Sequence, residues 1–438
     1  MTKYTAILKL RVFIIISLGQ FISLIGSGLT SFTLELWIYQ KTGSITQFAL
    51  VALFTTLPPI LVLPIAGTLV DRWDKRWTMI LSNCVAGLAT LSIAVSFFMA
   101  SLQVWQISAA TSVISVCCLF QYLAFTATTT LLIPEKYLGR ASGTLQAGQA
   151  SIGLFMPALA GILVLKIYLQ GILLIDFATY LFSLVMLLIV KFPKLKTATK
   201  TMTTDKLGKS SFKNEVIYGW TYINSHSGFL SLLLYFAVIN FLVGIVGLLL
   251  IPMLLTFVSS AITGAVLSIG SFGALIGSLV MSVWGGPKSR VSGILGFGLL
   301  LGICIVFAGL RPSIPLITVA AFGGYFCFPL IGGCSQALLQ SKVAVDVQGR
   351  VFAIQGMIGS SSLPLAYLVA GPLADNIFEP LLVRGGPLAA SVGRMIGVGA
   401  GRGIGFLFIV SGILFILVTI YSYLYSDIRL LDQKTEVL

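Results

Sequence analysis

Gly67-Thr-Leu-Val-Asp-Arg-Trp-Asp-Lys-Arg-Trp-Thr78 carries five charged side chains, Asp71, Arg72, Asp74, Lys75 and Arg76, in a chain of which only 9% is charged. Long apolar runs flank it on both sides. The stretch therefore reads as a tight turn between two membrane helices, and its three cations assign that turn to the cytoplasmic side.

Working outward, a helix needs roughly 20 mainly apolar residues to cross the hydrocarbon core. On that ruler the 438 residues contain 12 spans, at 12–35, 46–70, 77–99, 103–132, 141–165, 170–191, 229–256, 261–284, 291–310, 314–340, 351–373 and 403–425. An even number puts both termini on one side. With the N-terminus inside, 21 of the 27 Lys and Arg fall in cytoplasmic segments, the bias that the positive-inside rule expects. Lys3, Lys9 and Arg11 before the first apolar run imitate a secretory signal, but no Ala-x-Ala-like site follows, so the run reads as an uncleaved first helix.

Composition agrees. With 57% hydrophobic residues the chain is polytopic rather than a soluble globular domain, where about a quarter of residues are charged. The net charge of +14 is scattered through short loops instead of gathered on one polar face, so it is topogenic and excludes a nucleic-acid partner. All six cysteines lie in apolar stretches without metal-ligand spacing and read as packing residues; neither a cofactor nor a metal is expected.

The longest polar interval splits the spans six and six. Four segments follow: an N-terminal six-helix bundle at 1–191, a cytoplasmic linker at 192–227, a C-terminal bundle at 228–425 and a cytoplasmic tail at 426–438. Within the linker, Phe212, Val216, Ile217, Trp220 and Ile223 have the spacing of an interfacial helix, which ends at the surface residue His226. A Gly-rich interval from Asn376 to Gly401, with Arg384, Arg394 and Arg402, forms an external loop that either caps the outer opening or is loose. Two correspondences at one offset of 210 mark an internal repeat: Gly67-Thr-Leu-Val with Gly277-Ser-Leu-Val, and Gly139-Arg140 with Gly349-Arg350. Because six is even, the copies are parallel, related by an axis along the membrane normal, with the substrate path between them.

These features resemble the twelve-helix major facilitator superfamily, and more narrowly its bacterial drug/proton antiporter branch, which holds macrolide and enterobactin exporters. The carriers are the Gly67 to Arg76 loop, Tyr39-Gln-Lys-Thr-Gly-Ser44, Pro134 to Arg140, Tyr218-Gly-Trp220, Asp346-Val-Gln-Gly-Arg-Val351 and Gly371-Pro-Leu-Ala-Asp375. Asp74 stands where many members have Gly, and no Arg occurs in span 4, whose polar residue is Gln121. Gly153, Pro157 and Gly161 preserve an exporter-like pattern in span 5, with Met156 in place of the Gly expected before Pro. The resemblance implies the all-α fold of two parallel six-helix repeats and a monomer in the bacterial inner (plasma) membrane. It also implies a conformational switch in which Asp71, beside Gly67, Arg72 and Arg76, meets the start of helix 11 near Arg350 when the cytoplasmic side closes. A carboxylate at a helix N-terminus gains about 0.3 to 1 kcal/mol; alternatively, Asp71 only neutralises Arg72 and Arg76 in a solvated loop.

Ionisable groups inside the hydrocarbon cost about 2.5 to 3.5 kcal/mol on insertion scales and commonly mark a pathway. Asp176, two turns into span 6, and Glu35, at the end of span 1, are the acidic candidates for proton coupling. A hydrogen-bonded packing role for Asp176 and a water-exposed interfacial place for Glu35 are the alternatives. Gln20, Gln121, Gln146, Asn240, Gln336 and Gln355 are candidates for the substrate cavity or for ties between helices. With aromatic neighbours such as Phe21, Tyr122, Phe125, Tyr235 and Phe236, they suit bulky amphiphiles better than sugars.

The expected function is proton-coupled export of amphipathic compounds, such as drugs, macrolides, siderophores or other secondary metabolites, by rocking of the two halves. A facilitator or importer of a small metabolite on the same fold is the alternative. An enzyme would need His, paired carboxylates or a phosphate-cradling loop at the interface, and the lone His226 and sparse acids argue against one; an ATP-driven pump would need Gly-x-x-x-x-Gly-Lys-Ser/Thr, which does not occur.

Overall fold

The computed structural model describes residues 3–132, 135–190, 227–343 and 345–424. The expected interfacial helix at 212–223, His226 and the 426–438 tail lie outside the described residues, as do the side chains of Asp71, Gln146 and Arg350. Among the described residues the secondary structure is entirely helical. The long helices are α1 (Lys3–Thr42), α2 (Ile45–Arg72), α3 (Lys75–Phe98), α4 (Val104–Leu132), α5 (135–167), α6 (169–189), α7 (Ser227–Leu255), α8 (Ser260–Trp284), α9 (Arg290–Leu310), α10 (Ile314–Lys342), α11 (Val345–Leu373) and α12 (Arg402–Leu424). Each of the 12 expected spans coincides with one of them. The α5–α6 turn is so tight that Tyr168, in a left-handed conformation at φ 56°, is its one non-helical residue.

Contacts divide the chain into unit 1, Met1–Thr197 with Val258–Ser268, and unit 2, Ala198–Phe257 with Ile269–Leu438. The opening turns of α8 thus pack with the N-terminal helices. In unit 1, α1 lies against α5 and α6, and α4 contacts α2 and α3. In unit 2, α9 packs between α10 and α12, while α7 lies on α11. Large apolar side chains such as Leu61, Ile65, Trp105, Val283 and Val319 remain exposed, as a surface facing lipid chains requires.

The charged turn has a local logic. Asp74 is the N-cap of α3, its carboxylate accepting the Trp77 amide at 3.0 Å. That is the physical use of an Asp where Gly is common. The Arg76 guanidinium reaches the carbonyls of Leu187 (3.3 Å) and Leu188 (2.9 Å) at the end of α6, a cation on the negative end of a helix. Arg72 is exposed, and a Cβ added at Gly67 would meet nothing within 4 Å.

The segment expected as an external loop is folded. A π-helical turn, Ala374–Phe378, holds Asp375; short helices at Glu379–Leu382 and Val392–Ile396 follow. The Glu379 carboxylate accepts the amides of Gly401 (3.2 Å) and Ile404 (3.0 Å) at the start of α12. Arg402, 5% exposed, donates to the Ile396 and Gly309 carbonyls. The segment is held at both ends by buried polar bonds.

Candidate functional site

Seen down its axis, α1 carries a stripe of Ser17, Gln20, Ser23, Ser27, Ser31 and Glu35, spaced three or four residues apart so that they share one face. Eighteen residues at about 1.5 Å each span about 27 Å, nearly the thickness of the hydrocarbon core. Helix α1 runs on to Thr42, two turns beyond the expected end of span 1, which places Glu35 inside the helix rather than at its mouth.

The stripe lines two cavities of unit 1. The first, about 230 Å³, is walled by Ser17, Gln20, Phe21, Gln121, Tyr122 and Phe125. The second, about 270 Å³, is walled by Thr30, Glu35, Thr55, Thr111, Ser115 and Asp176, which brings the two acidic candidates to one compartment. Ser27, Cys118 and Tyr180 border both.

Asp176, on α6, is 1% exposed. Gly26 lets α1 approach it, since a Cβ there would lie 2.2 Å from Thr179 Oγ1, 2.8 Å from Asp176 Oδ1 and 3.0 Å from Asp176 Cα. Ser27 Oγ lies 3.4 Å from Asp176 Oδ1 and 3.0 Å from Tyr180 Oη, so its single proton serves one acceptor at a time. The Thr90 hydroxyl donates to Asp176 Oδ2 at 3.4 Å. The groups acting on this carboxyl among the described residues are hydroxyls, with no Lys, Arg or His among them.

Beside the first cavity a buried chain crosses three helices. Gln121 Nε2 donates to Asn83 Oδ1 at 2.7 Å, and Asn83 Nδ2 donates to Ser183 Oγ at 3.0 Å. Ser17 Oγ and Gln20 Nε2, by contrast, are buried and meet no partner among the described residues.

The pattern in α5 falls at a crossing with the opening turns of α8. A Cβ at Gly161 would lie 2.5 Å from the Ser260 carbonyl, and one at Gly264 would lie 2.1 Å from the Pro157 carbonyl. Ser268 Oγ accepts the Ala158 amide at 3.2 Å, just past the proline. Gly153 is exposed on the same helix. Met156 packs where Gly28 of α1 leaves room, so the residue that departs from the exporter-like pattern has its complement on α1.

The second-half candidates are not gathered at one cavity. Gln355 Nε2 donates to Ser335 Oγ at 3.0 Å, joining α11 to α10, while Asn240 lies against Gly359 and Gln336 is exposed. Tyr235 is 2% exposed, pairs with Thr419 and stacks edgewise on Phe236 in the packed interior. A cavity of about 180 Å³ in unit 2 is lined almost wholly by apolar groups, among them Leu250, Leu301, Ile305, Phe328 and Phe408.

Asn83, Ser27, Thr90 and Tyr180 were not singled out from sequence. A Ser or Gln every three or four positions from Ser17 to Ser31, leading to Glu35, is the signal that would have found the α1 stripe.

Comparison with known proteins gives a consistent picture. A family model, the Major Facilitator Superfamily, matches residues 16–367. Macrolide efflux protein A of Streptococcus pyogenes is 26% identical over 422 residues, covering 95% of this chain and 96% of that protein. Multidrug efflux pump Tap of Mycolicibacterium fortuitum is 22% identical over 358 residues, covering 80% and 86%. Among solved structures, a bacterial homologue of the human lysosomal transporter Spinster, in an inward-facing and unoccupied conformation, superposes with a TM-score of 0.72 at 15% identity over the full length of both chains.

Proposed function

Because the chain belongs to the Major Facilitator Superfamily, and so is a multi-pass membrane transporter rather than an enzyme, we propose that it exports amphipathic small molecules by proton antiport. The observation that carries this reading is Asp176, a carboxyl closed into the interior, faced by hydroxyls and sharing a compartment with Glu35. A buried carboxylate without a cation is costly, and taking up a proton removes the charge. Such a group alternates between two states that the hydroxyls of Ser27 and Thr90 serve equally, as acceptors when it is protonated and as donors when it is not. Relatives named for macrolide and multidrug efflux, at 26% and 22% identity, support the outward direction and the amphipathic substrate.

In this reading the protein is a monomer of the inner membrane with both termini in the cytoplasm, the orientation supported by its Lys and Arg distribution. The bundles at 1–191 and 228–425 rock about the substrate, and Gly67, Asp71, Arg72, Arg76 and Arg350 form the cytoplasmic switch. Arg76 holds the switch loop to α6, the helix that bears Asp176.

The test is efflux of a fluorescent amphiphile from cells, with and without a protonophore, for wild type, Asp176→Asn and Asp71→Asn. Protonophore abolishes wild-type export, Asp176→Asn no longer responds to the gradient, and Asp71→Asn exports slowly. Transport that persists without a gradient, with Asp176→Asn equal to wild type, refutes proton coupling and makes the protein a facilitator.

A further inference from the structure

The first cavity of unit 1 has a chemistry of its own. Its described lining residues, Ser17, Gln20, Phe21, Gln121, Tyr122 and Phe125 among them, include no charged side chain, unlike the neighbouring compartment with its two carboxyls. Ser17 and Gln20 line the cavity and are each more than nine-tenths buried, and among the described residues Ser17 Oγ and Gln20 Nε2 have no hydrogen-bond acceptor. Donors buried unpaired are destabilising, so a site that keeps two of them is built for an acceptor that arrives from outside. Gln121 gives its amide nitrogen to Asn83, which fixes its carbonyl oxygen as the free polar end. The rings of Phe21, Tyr122 and Phe125 supply flat apolar walls.

We propose that this cavity binds a neutral, oxygen-bearing ring of the exported compound, with Gln20 and Ser17 donating to its ether or hydroxyl oxygens and Gln121 accepting from a hydroxyl. The assignment rests on the export function proposed above and names the part of the substrate that the N-terminal unit holds. A cavity of 150 Å³ takes one benzene, so about 230 Å³ accommodates a single substituted ring. A charged group is disfavoured, since nothing in the lining compensates it. The wall that this ring would touch includes Ser27 and Tyr180, which also border the Asp176 compartment. An occupant that draws the Ser27 proton away from Asp176 changes the balance between the protonated and ionised carboxyl, and by reciprocity the proton changes the affinity for the ring.

The experiment is equilibrium binding to the full-length protein in nanodiscs. The probes are tritiated erythromycin A, a macrocyclic lactone bearing both a neutral deoxysugar and an amino sugar, and its derivative lacking the neutral sugar. The derivative binds wild type more weakly than the parent. Gln20→Leu weakens the parent about tenfold, the loss of one hydrogen bond, and leaves the derivative unchanged. Its thermal unfolding midpoint is no lower than that of wild type, because an unpaired donor is removed and no bond among the described residues is lost. Ser17→Ala, which removes the other donor at little change in volume, shows the same selectivity and keeps the test decisive if Gln20→Leu folds poorly. Equal weakening of both probes, or no effect of either variant on the parent, overturns the assignment while leaving export intact. Failure of wild type to bind either probe or to export the parent overturns the export reading itself, and the cavity assignment with it.

Discussion

Replacing Gly26 with Ala adds one methyl group at the point where α1 meets Asp176. That methyl would lie 2.2 Å from Thr179 Oγ1, 2.8 Å from the Asp176 carboxyl and 3.0 Å from Asp176 Cα. The hydroxyl and the carboxyl can rotate aside, but the Cα cannot. Restoring an ordinary contact of 3.4 Å requires the two backbones to part by about 0.4 Å. Overpacking of this kind costs about 1 to 3 kcal/mol. The parting also carries Ser27 away from Asp176 Oδ1, where the present 3.4 Å is already at the limit of a hydrogen bond. Gly26→Ala therefore lowers the thermal unfolding midpoint of the purified protein by several degrees and slows gradient-driven efflux. Adding Thr179→Ala relieves the 2.2 Å contact and recovers part of the stability, because the backbone contact remains. Gly28→Ala is the comparison: its new methyl meets only side-chain atoms, Ile152 Cγ2 (2.8 Å) and Met156 Cγ (3.0 Å), so it requires no parting of backbones at this contact. If Gly26→Ala unfolds and transports like wild type, the close approach of α1 and α6 does not set the Asp176 geometry.

Three further outcomes follow from local bonding. Asn83→Ala strands Gln121 and Ser183 in the interior and costs about 1 to 3 kcal/mol; combined with Gln121→Leu the losses add to less than their sum in thermal unfolding, and strict additivity would disprove the chain. Glu379→Ala removes the acceptor for the Gly401 and Ile404 amides, a loss of about 0.5 to 2 kcal/mol typical of a helix cap. Trypsin then cleaves at the exposed Arg384 and Arg394 faster than in wild type, and equal rates would show that the cap does not hold the segment. Gly67→Ala unfolds no earlier than wild type, because its methyl enters open space, yet transports more slowly; wild-type transport would remove Gly67 from the switch.

Depth in the membrane was legible from the sequence; rotation about the helix axis was not. The apolar runs located all 12 long helices because hydropathy and length are the very quantities that the bilayer selects. They could not tell that α1 continues past Glu35 to Thr42, since the added turns contain Tyr39, Gln40 and Lys41 and look like loop. Asp176 and Gln121 drew attention as costly groups in an apolar span, whereas Asn83, about two turns past Arg76, was not singled out. Ser17, Ser23 and Ser27 are cheap enough to occur in any membrane helix; their spacing puts them on one face, and what that face meets is visible only once α1 is set against α6. In the second half, Asn240, Gln336 and Gln355 stood out by type alone, and two of them proved to lie against a neighbouring helix. The Asp74 cap needed only the rule for helix starts, which the family pattern, with its Gly, had obscured.

The stripe on α1 also bears on how the chain is made. Ser27 and its partner Asp176 are 149 residues apart, and a ribosome adding about 5 to 20 residues per second takes about 7 to 30 s to supply the second after the first. For that interval α2 and α4 can reach the stripe, but the acceptor that Ser27 faces is missing. Chains that stop before α6 should thus be substrates for membrane quality control, and the docking of α6 on α1 is a checkpoint in biogenesis.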